Sequence, residues 1–242
     1  MKAFNLICAA FFALLVFCGC SDNSLAYVAE DAEVVLYGNV KSLLDSKVWE
    51  IAQKDKNFKK GVLDTLKEII NVEPAELSGN FAVWGVDVLD EGDFKAVVVL
   101  DEGNAEDVFK KIAKKAKKTD FTDVEEDEID ECKVITIITG ADKAKNIKGK
   151  VEYSVVLVSD KVLQITVGDE ADAIFPADNA SETAGEINKD AVLAVAGSPA
   201  FFKELADQNE IEVKGLGIGV AEVFLTGSEI QVNARIDISD VE

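Results

Sequence analysis

Short β-rich apolar runs joined by brief polar turns constrain the fold of this chain more than any other feature. Three pairs of runs are separated by only three or four turn residues, at 90–93, 159–161 and 226–229. Because strands joined by such short connections pair antiparallel, the pattern predicts a mainly antiparallel sheet. Helical periodicity between the runs predicts helices packed on one face of that sheet, and therefore an α+β fold.

The order of the predicted elements occurs twice. Asp31-Ala32 and Asp190-Ala191 each precede an apolar strand, which leads through a turn into an amphipathic helix and then a hairpin. The first copy carries an extra amphipathic helix between Val62 and Ile70. Order and spacing therefore predict two related β-α-β-β units around a β-rich middle, with chance similarity as the alternative. We place the first unit and the middle at 28–175, a loop at 176–188 and the second, shorter unit at 189–242.

The two repeated helices have recognisable faces and caps. In the first, apolar residues recur at helical spacing and predict one buried stripe, made of Val40, Leu43, Leu44, Val48 and Ile51. In the second, Ser198 is a good N-cap and Pro199 suits the first helical position.

A lysine-rich helix is predicted after Asn104, which we expect to cap it. Apolar residues from Val108 to Ala116 form its buried face, and its remaining surface carries Lys110, Lys111, Lys114, Lys115, Lys117 and Lys118. One interpretation is a solvated face that offsets the acidic stretch 120–131, and the other is a docking patch for an acidic polymer. The acidic stretches 87–93 and 120–131 are predicted to be solvated turns, since neither has the spacing of a calcium loop.

Charge and residue inventory exclude several activities. The chain has 46 acidic and 25 basic residues, a net charge of -21 and no histidine. The negative charge repels phosphate backbones and anionic headgroups, so we expect no nucleic-acid partner. Without imidazole there is no Ser-His-Asp or Cys-His nucleophile and no histidine-based zinc site. Carboxylate chemistry, lysine chemistry or an oxygen-ligand cation site remain, none with a recognisable spacing.

The N-terminus has the layout of a secretory signal. Lys2 precedes an apolar run that closes with Phe17-Cys18-Gly19-Cys20, and polar residues follow at once. The run is too short for a comfortable membrane span. It resembles the leaders of bacterial lipoproteins, which implies that 1–19 is a signal peptide, that Cys20 is acylated, and that 20–27 is the acylated cysteine and linker. A plain secretory signal or an uncleaved anchor is the alternative.

The same resemblance bears on localisation and on the cysteines. Ser21 stands where an aspartate would retain such a lipoprotein at the inner membrane, so the outer membrane is favoured if the cell has two. Cys8 and Cys18 leave with the leader, which leaves Cys132 as the single free cysteine of the mature chain. We interpret Cys132 as a small packing residue.

The mature chain also resembles a broader family. A Val-x-x-Asp-Ala start precedes the first strand, and Asn39-Val40-Lys41-Ser42-Leu43-Leu44-Asp45-Ser46 leads into a helix that contains Trp49. This arrangement is similar to that of uncharacterised bacterial lipoproteins of the domain-of-unknown-function type, although Ala29 stands where proline is usual. The resemblance implies export and a repeated α+β body. It implies no established catalytic residues.

Two smaller features have plain structural interpretations. Trp49 and Trp84 lie within apolar patterns and are predicted to be core residues rather than sugar platforms. The glycines from Gly215 to Gly219 precede a strand pattern, whereas a phosphate-binding loop precedes a helix. We therefore expect these glycines to allow a bend or close packing.

Together these features predict a lipid-anchored cell-envelope protein that acts as a non-catalytic binding or structural module. We expect it to have no cofactor and no metal, to contact the membrane through acyl chains on Cys20, and to bind an envelope protein or an apolar ligand. One alternative is a periplasmic or envelope carrier of a lipid or other hydrophobic molecule. Another is a carboxylate-dependent hydrolase, which needs two convergent acidic side chains in a cleft.

Overall fold

In the computed structural model, the strands form one antiparallel sheet of ten. The structure describes residues 23–55, 72–86, 88, 93–118, 122–139, 151–167, 174–176, 181–209, 215–226 and 229–238. The strands are β1 Val34–Asn39, β2 Gly79–Val86, β3 Asp93–Leu100, β4 Thr122–Ile129, β5 Cys132–Thr139, β6 Val151–Leu157, β7 Val162–Val167, β8 Leu193–Gly197, β9 Leu216–Thr226 and β10 Glu229–Ile238. Their order across the sheet is β10-β9-β8-β1-β2-β3-β7-β6-β5-β4.

The described helices range from four to twelve residues. They are α1 Val40–Leu44, α2 Lys47–Ala52, α3 Ala105–Ala116, α4 Glu182–Gly185 and α5 Pro199–Gln208, with 3₁₀ turns at Ser24–Tyr27 and Pro74–Leu77. The predicted α+β class, with mainly antiparallel strands, is confirmed in this coarse form. Within the described ranges, no helix has the length and apolar character needed to cross a membrane.

The central strands bury side chains on both faces because successive residues of a strand point to opposite sides. In β2, Phe81 and Val83 join a cluster that also contains residues of α1, α2 and α3. Ala82 and Trp84 join a second cluster, on the opposite face, with residues of the Ser24–Tyr27 turn and α4. Trp84 is 2% exposed and Trp49 5% exposed, so both are core residues as predicted.

The helix predicted after β1 is two helices. Ser46 is the N-cap of α2, and its Oγ accepts a hydrogen bond from the Trp49 N–H at 3.1 Å. The interruption shifts the buried face, so Trp49 is buried whereas Ile51 is 64% exposed, and the prediction that Ile51 is buried was wrong. The caps predicted for α5 are confirmed, because the Ser198 Oγ accepts from the Phe201 N–H at 3.2 Å and Pro199 is the first helical residue.

Two predictions around α3 were wrong. Asn104 stands at the N-cap position, but its side chain donates to the Glu76 carbonyl at 3.1 Å instead of accepting from the helix. The acidic stretch that follows forms an edge strand, β4, not only a solvated turn. On one face of the sheet, Val124 packs against the cluster that contains Phe81 and Val83. On the other face, Ile129 packs beside the buried Cys132, so this strand has apolar contacts on both faces.

The β-rich middle does not lie between the two predicted units. After β3, α3 leads to β4 at the far edge, and β5, β6 and β7 return strand by strand until β7 pairs with β3. The middle strands therefore form one end of the sheet, and β8 of the second unit pairs directly with β1 of the first. The predicted loop at 176–188 contains the one-turn helix α4.

The predicted linker at 20–27 is also shorter than expected. The Ser24 N–H donates to Asn80 Oδ1 at 2.6 Å, and Leu25, Tyr27 and Val28 are buried in the second cluster. Ser24 is therefore already part of the folded body. Cys20, the leader 1–19 and the extra helix predicted between Val62 and Ile70 lie outside the described residues.

The closest backbone approach in the central sheet predicts a sensitive glycine. A Cβ at Gly79 would lie 1.9 Å from the Val99 carbonyl oxygen, whereas a Cβ at Gly185 would meet nothing within 4 Å. We expect Gly79→Ala to lower the free energy of unfolding by about 3 kcal/mol, the upper range for overpacking. Gly185→Ala is the control and should be neutral or slightly stabilising. Urea unfolding followed by tryptophan fluorescence measures both, and equal effects would contradict the register of β2 against β3.

Candidate functional site

An open cavity of about 520 Å³ lies between α3 and the strands β4 and β5. We call it the lysine groove. Five lysines, two carboxylates and four apolar residues line it: Lys110, Lys114, Lys117, Lys118, Lys133, Glu126, Asp127, Phe109, Ala113, Val134 and Ile135.

The position of α3 follows from its sequence. Glu106 and Asp107 favour its N-terminal end and Lys114 and Lys115 its last turn, as the helix dipole requires. Its apolar stripe packs on β4, β6 and β7. Lys114 lies in the last turn of α3 and Lys118 in the turn that follows the helix, and both line the groove.

Some groove lysines are neutralised by neighbouring carboxylates. Glu106 Oε1 lies 2.9 Å from Lys133 Nζ and 3.2 Å from Lys110 Nζ, and Lys117 pairs with Glu126. The hydrogen bond from Lys133, followed by that from Lys110, holds the pKa of the Glu106 carboxyl below its ordinary value. These contacts fix three of the lysines against the groove wall.

Lys114 and Lys118 are different. Both are exposed, and neither makes an ion pair or hydrogen bond with any described residue. Two cations that pair with no described residue therefore line the same cavity in a chain of net charge -21. Their fields add at the mouth of the groove and attract an anion.

The floor of the lysine groove is apolar. Phe109 and Ile135 are 7% and 1% exposed, and Ala113 is partly buried between them and the solvent. A site with an apolar floor and a few convergent charged groups is suited to a ligand that has an anionic end and an apolar part. No group of metal-ligating side chains occurs among the residues the structure describes.

A second cavity, of about 790 Å³, is acidic. It lies between the segment before β1, α4 and the start of α5, and its lining includes Glu30, Asp31, Glu33 and Glu182. The Glu33 carboxylate accepts a hydrogen bond from the Val88 N–H at 3.1 Å, and the other three side chains are exposed. The cavity brings carboxylates together, and Ala32, Pro199, Ala200 and Ile218 form the apolar part of its lining.

The predicted lysine patch is divided by the structure. Lys110, Lys114, Lys117 and Lys118 line the groove, whereas Lys111 pairs with Glu76 outside it. Lys133 was missed because it lies on a different element. The only sequence signal for it is a lysine at the start of an otherwise apolar strand, and it joins the groove because β5 lies next to β4.

The glycine-rich segment 215–219 leads into β9, as predicted. A Cβ at Gly219 would lie 2.7 Å from the Phe202 ring, and one at Gly217 would lie 2.8 Å from the Asp237 Cβ. These glycines allow α5 and β10 to pack closely on β9, which confirms the structural interpretation over a phosphate-binding loop.

Comparisons with known proteins add two weak structural likenesses. No protein-family model and no curated protein matches the chain. Crystal forms III and I of a protein designated TP0453 are similar to it, with TM-scores of 0.45 and 0.42 and sequence identities of 11% and 10%. Each match covers 92% of this chain, and they cover 82% and 81% of the TP0453 chains. Likenesses of this size carry no argument about the site.

The contacts of Glu106 with Lys133 and Lys110 predict how the Glu106 carboxyl titrates. We expect the Glu106 carboxyl to titrate below its ordinary pKa, and Lys133→Met to raise that pKa, because the Lys133 hydrogen bond is the largest cause of the shift. Because the pKa of Glu106 is lower in the folded state than in the unfolded state, its contacts with Lys133 and Lys110 stabilise the fold fully at pH values above the unfolded-state pKa. This stabilisation is lost as the pH falls through the folded-state pKa. Carbon-13 NMR of the carboxyl measures this. Lys47→Met is the control, and an equal response to both changes would contradict the assignment.

Proposed function

We propose that this protein is a lipid-anchored, non-catalytic binding module of the cell envelope, held by acyl chains on Cys20. Its binding site is the lysine groove, and its ligand carries an anionic group next to an apolar part. The absence of aspartate after Cys20 favours the outer membrane in a cell that has two. The observation that carries the proposal is the pair Lys114 and Lys118 above an apolar floor.

The short distance between Cys20 and the folded body supports the anchor. Ser24 is already buried against Asn80, so only residues 21–23 separate the cysteine from the sheet. Four Cα-to-Cα steps span at most about 14 Å. An acyl group on Cys20 would therefore hold the body next to the bilayer surface, where anionic amphiphiles are available.

A carrier of a lipid or other hydrophobic molecule is the second candidate. The apolar floor formed by Phe109, Ala113 and Ile135 favours a carrier, because a ligand bound by ionic contacts alone would not require aromatic and aliphatic surface in the groove. The carboxylate-dependent hydrolase has less support. The acidic cavity gathers carboxylates, but Glu33 is held by the Val88 N–H and the others are exposed.

The sheet order also supports the proposed duplication. β1 and β8 lie side by side and antiparallel, and each leads through helix into a hairpin that extends outward, β2-β3 on one side and β9-β10 on the other. A two-fold axis between β1 and β8 would relate the two units. We further propose that the longer helices share one face of the sheet. Phe109 of α3 belongs to the same cluster as Trp49 of α2, and the Phe202 ring of α5 lies beside Gly197 and Gly219.

The anchor is tested by labelling. Cells that produce the full chain should incorporate radiolabelled palmitate into the wild-type protein and not into Cys20→Ser, because the acyl chain requires that thiol. Cys132→Ser is the matched control and should be labelled like the wild type. Equal labelling of Cys20→Ser would remove the anchor from the proposal.

The groove is tested by charge reversal. Lys114→Glu with Lys118→Glu should weaken oleate binding about tenfold, since two surface charge contacts of about 0.7 kcal/mol each are lost. Lys54→Glu with Lys203→Glu is the control. Each pair changes the net charge from -21 to -25, two units for each lysine. Isothermal calorimetry on the full chain measures the difference, and equal weakening by both pairs would point to general repulsion instead of a site.

A further inference from the structure

The two edges of the sheet are built differently. A sheet edge carries unpaired N–H and C=O groups, and charged side chains are the usual protection against the addition of another strand. The β4 edge has this protection, with five carboxylates in eight residues: Asp123, Glu125, Glu126, Asp127 and Glu128. The β10 edge does not. Between Glu229 and Asp237 its single charged residue is Arg235.

The β10 edge also exposes a row of apolar side chains. Ile230 and Val232 are 60% and 65% exposed and Ile236 is 43% exposed, and Ala234 lies in the same row. All four point to one face because alternate residues of a strand do so. Within the described residues, β10 pairs with β9 alone, so the outer side of this row has no neighbouring strand.

We propose that β10 pairs antiparallel with β10 of a second copy of this chain, with Val232 opposite Val232 at the two-fold axis. In this register Ile230 lies opposite Ala234, so the apolar rows of the two copies meet on one face. On the other face, Glu229 of each copy lies opposite Arg235 of the partner subunit. Opposite charges placed directly across a strand pair stabilise it.

Charge selects this register over its neighbour. A pairing centred on Asn233 keeps the same faces together, but it sets Glu229 opposite Asp237 twice, and like charges in that position are unfavourable. Arg235 is already held in place on the polar face. Its Nη2 donates to the Glu186 carboxylate at 2.9 Å and to the Glu186 carbonyl at 2.7 Å, and its Nη1 lies 3.6 Å from the Glu222 carboxylate. A guanidinium has five N–H donors, so it can also bind a carboxylate of the partner.

The assembly closes at two copies. The same edge is used on both sides of the two-fold axis, which leaves only β4 edges at the ends of the joined sheet. Those ends carry the five carboxylates and repel one another. The net charge of -21 on each copy is screened beyond about 8 Å at physiological salt, so the local contacts along β10 decide the pairing.

Cysteine cross-linking of the full chain tests the proposal. In Val232→Cys the two new thiols face each other across the two-fold axis, within reach of a disulfide. Mild oxidation after cell lysis should shift this variant to twice its mass on a non-reducing gel. Glu125→Cys, an exposed position on the β4 edge, is the control and should stay monomeric. In the processed chain acylated at Cys20, the remaining free cysteine is Cys132. It does not compete, because it is buried, and burial together with nearby carboxylates raises the pKa of its thiol.

A second pair of variants tests the register and the edge separately. Added to Val232→Cys, Glu229→Lys should reduce the cross-linked fraction at least threefold, because it places a cation opposite Arg235. Val195→Lys adds a charge to an exposed apolar position two strands inward and should leave the fraction unchanged. The proposal is overturned if Val232→Cys cross-links no more than Glu125→Cys, if Glu229→Lys increases the fraction, or if Val195→Lys abolishes it.

Discussion

The pairing of β1 with β8 is the contact on which the rest of the molecule depends. It joins residues about 160 positions apart along the chain, from Val34 opposite Gly197 to Gly38 opposite Leu193. The Tyr37 hydroxyl and the Asn39 amide both donate to the Lys189 carbonyl, which holds the start of β8 beside the end of β1. Among the described elements, this pairing alone carries the hairpin β9-β10 into the common sheet, at the entropic cost of closing a long loop.

A second long-range connection creates the site. Because α3 crosses from β3 to the far edge before the chain returns through β5 to β7, its lysine-rich side overhangs β4 and β5. The carboxylates of the acidic edge strand neutralise part of that side, as Glu126 does for Lys117. Lys114 and Lys118, which pair with no described residue, are the cations of the proposed binding site.

Strand positions were largely predictable, and the errors have physical causes. Short apolar runs on either side of brief turns predicted the hairpins β2-β3, β6-β7 and β9-β10. Strand β4 was predicted as a solvated turn because it is rich in carboxylates, which disfavour strands, but it pairs with β5 and packs through Val124 and Ile129. For Ile51, a break at Ser46 changed the helical phase, and one local hydrogen bond outweighed the apolar pattern. The lysines of α3 were identified as a candidate patch, but not the groove, because Lys133 and the apolar floor come from other elements.

The amino-acid pattern was enough to predict the antiparallel α+β class, the buried tryptophans and the lysine-rich helix, because periodicity, caps and turns act over a few residues. It was also enough to exclude chemistry that requires histidine, since the chain has none. Long-range packing set the pairing of β8 with β1, the position of the middle strands at one end of the sheet and the burial of Ser24. Those outcomes depend on contacts between residues far apart in the chain, where many strand orders satisfy the same local pattern and packing selects one.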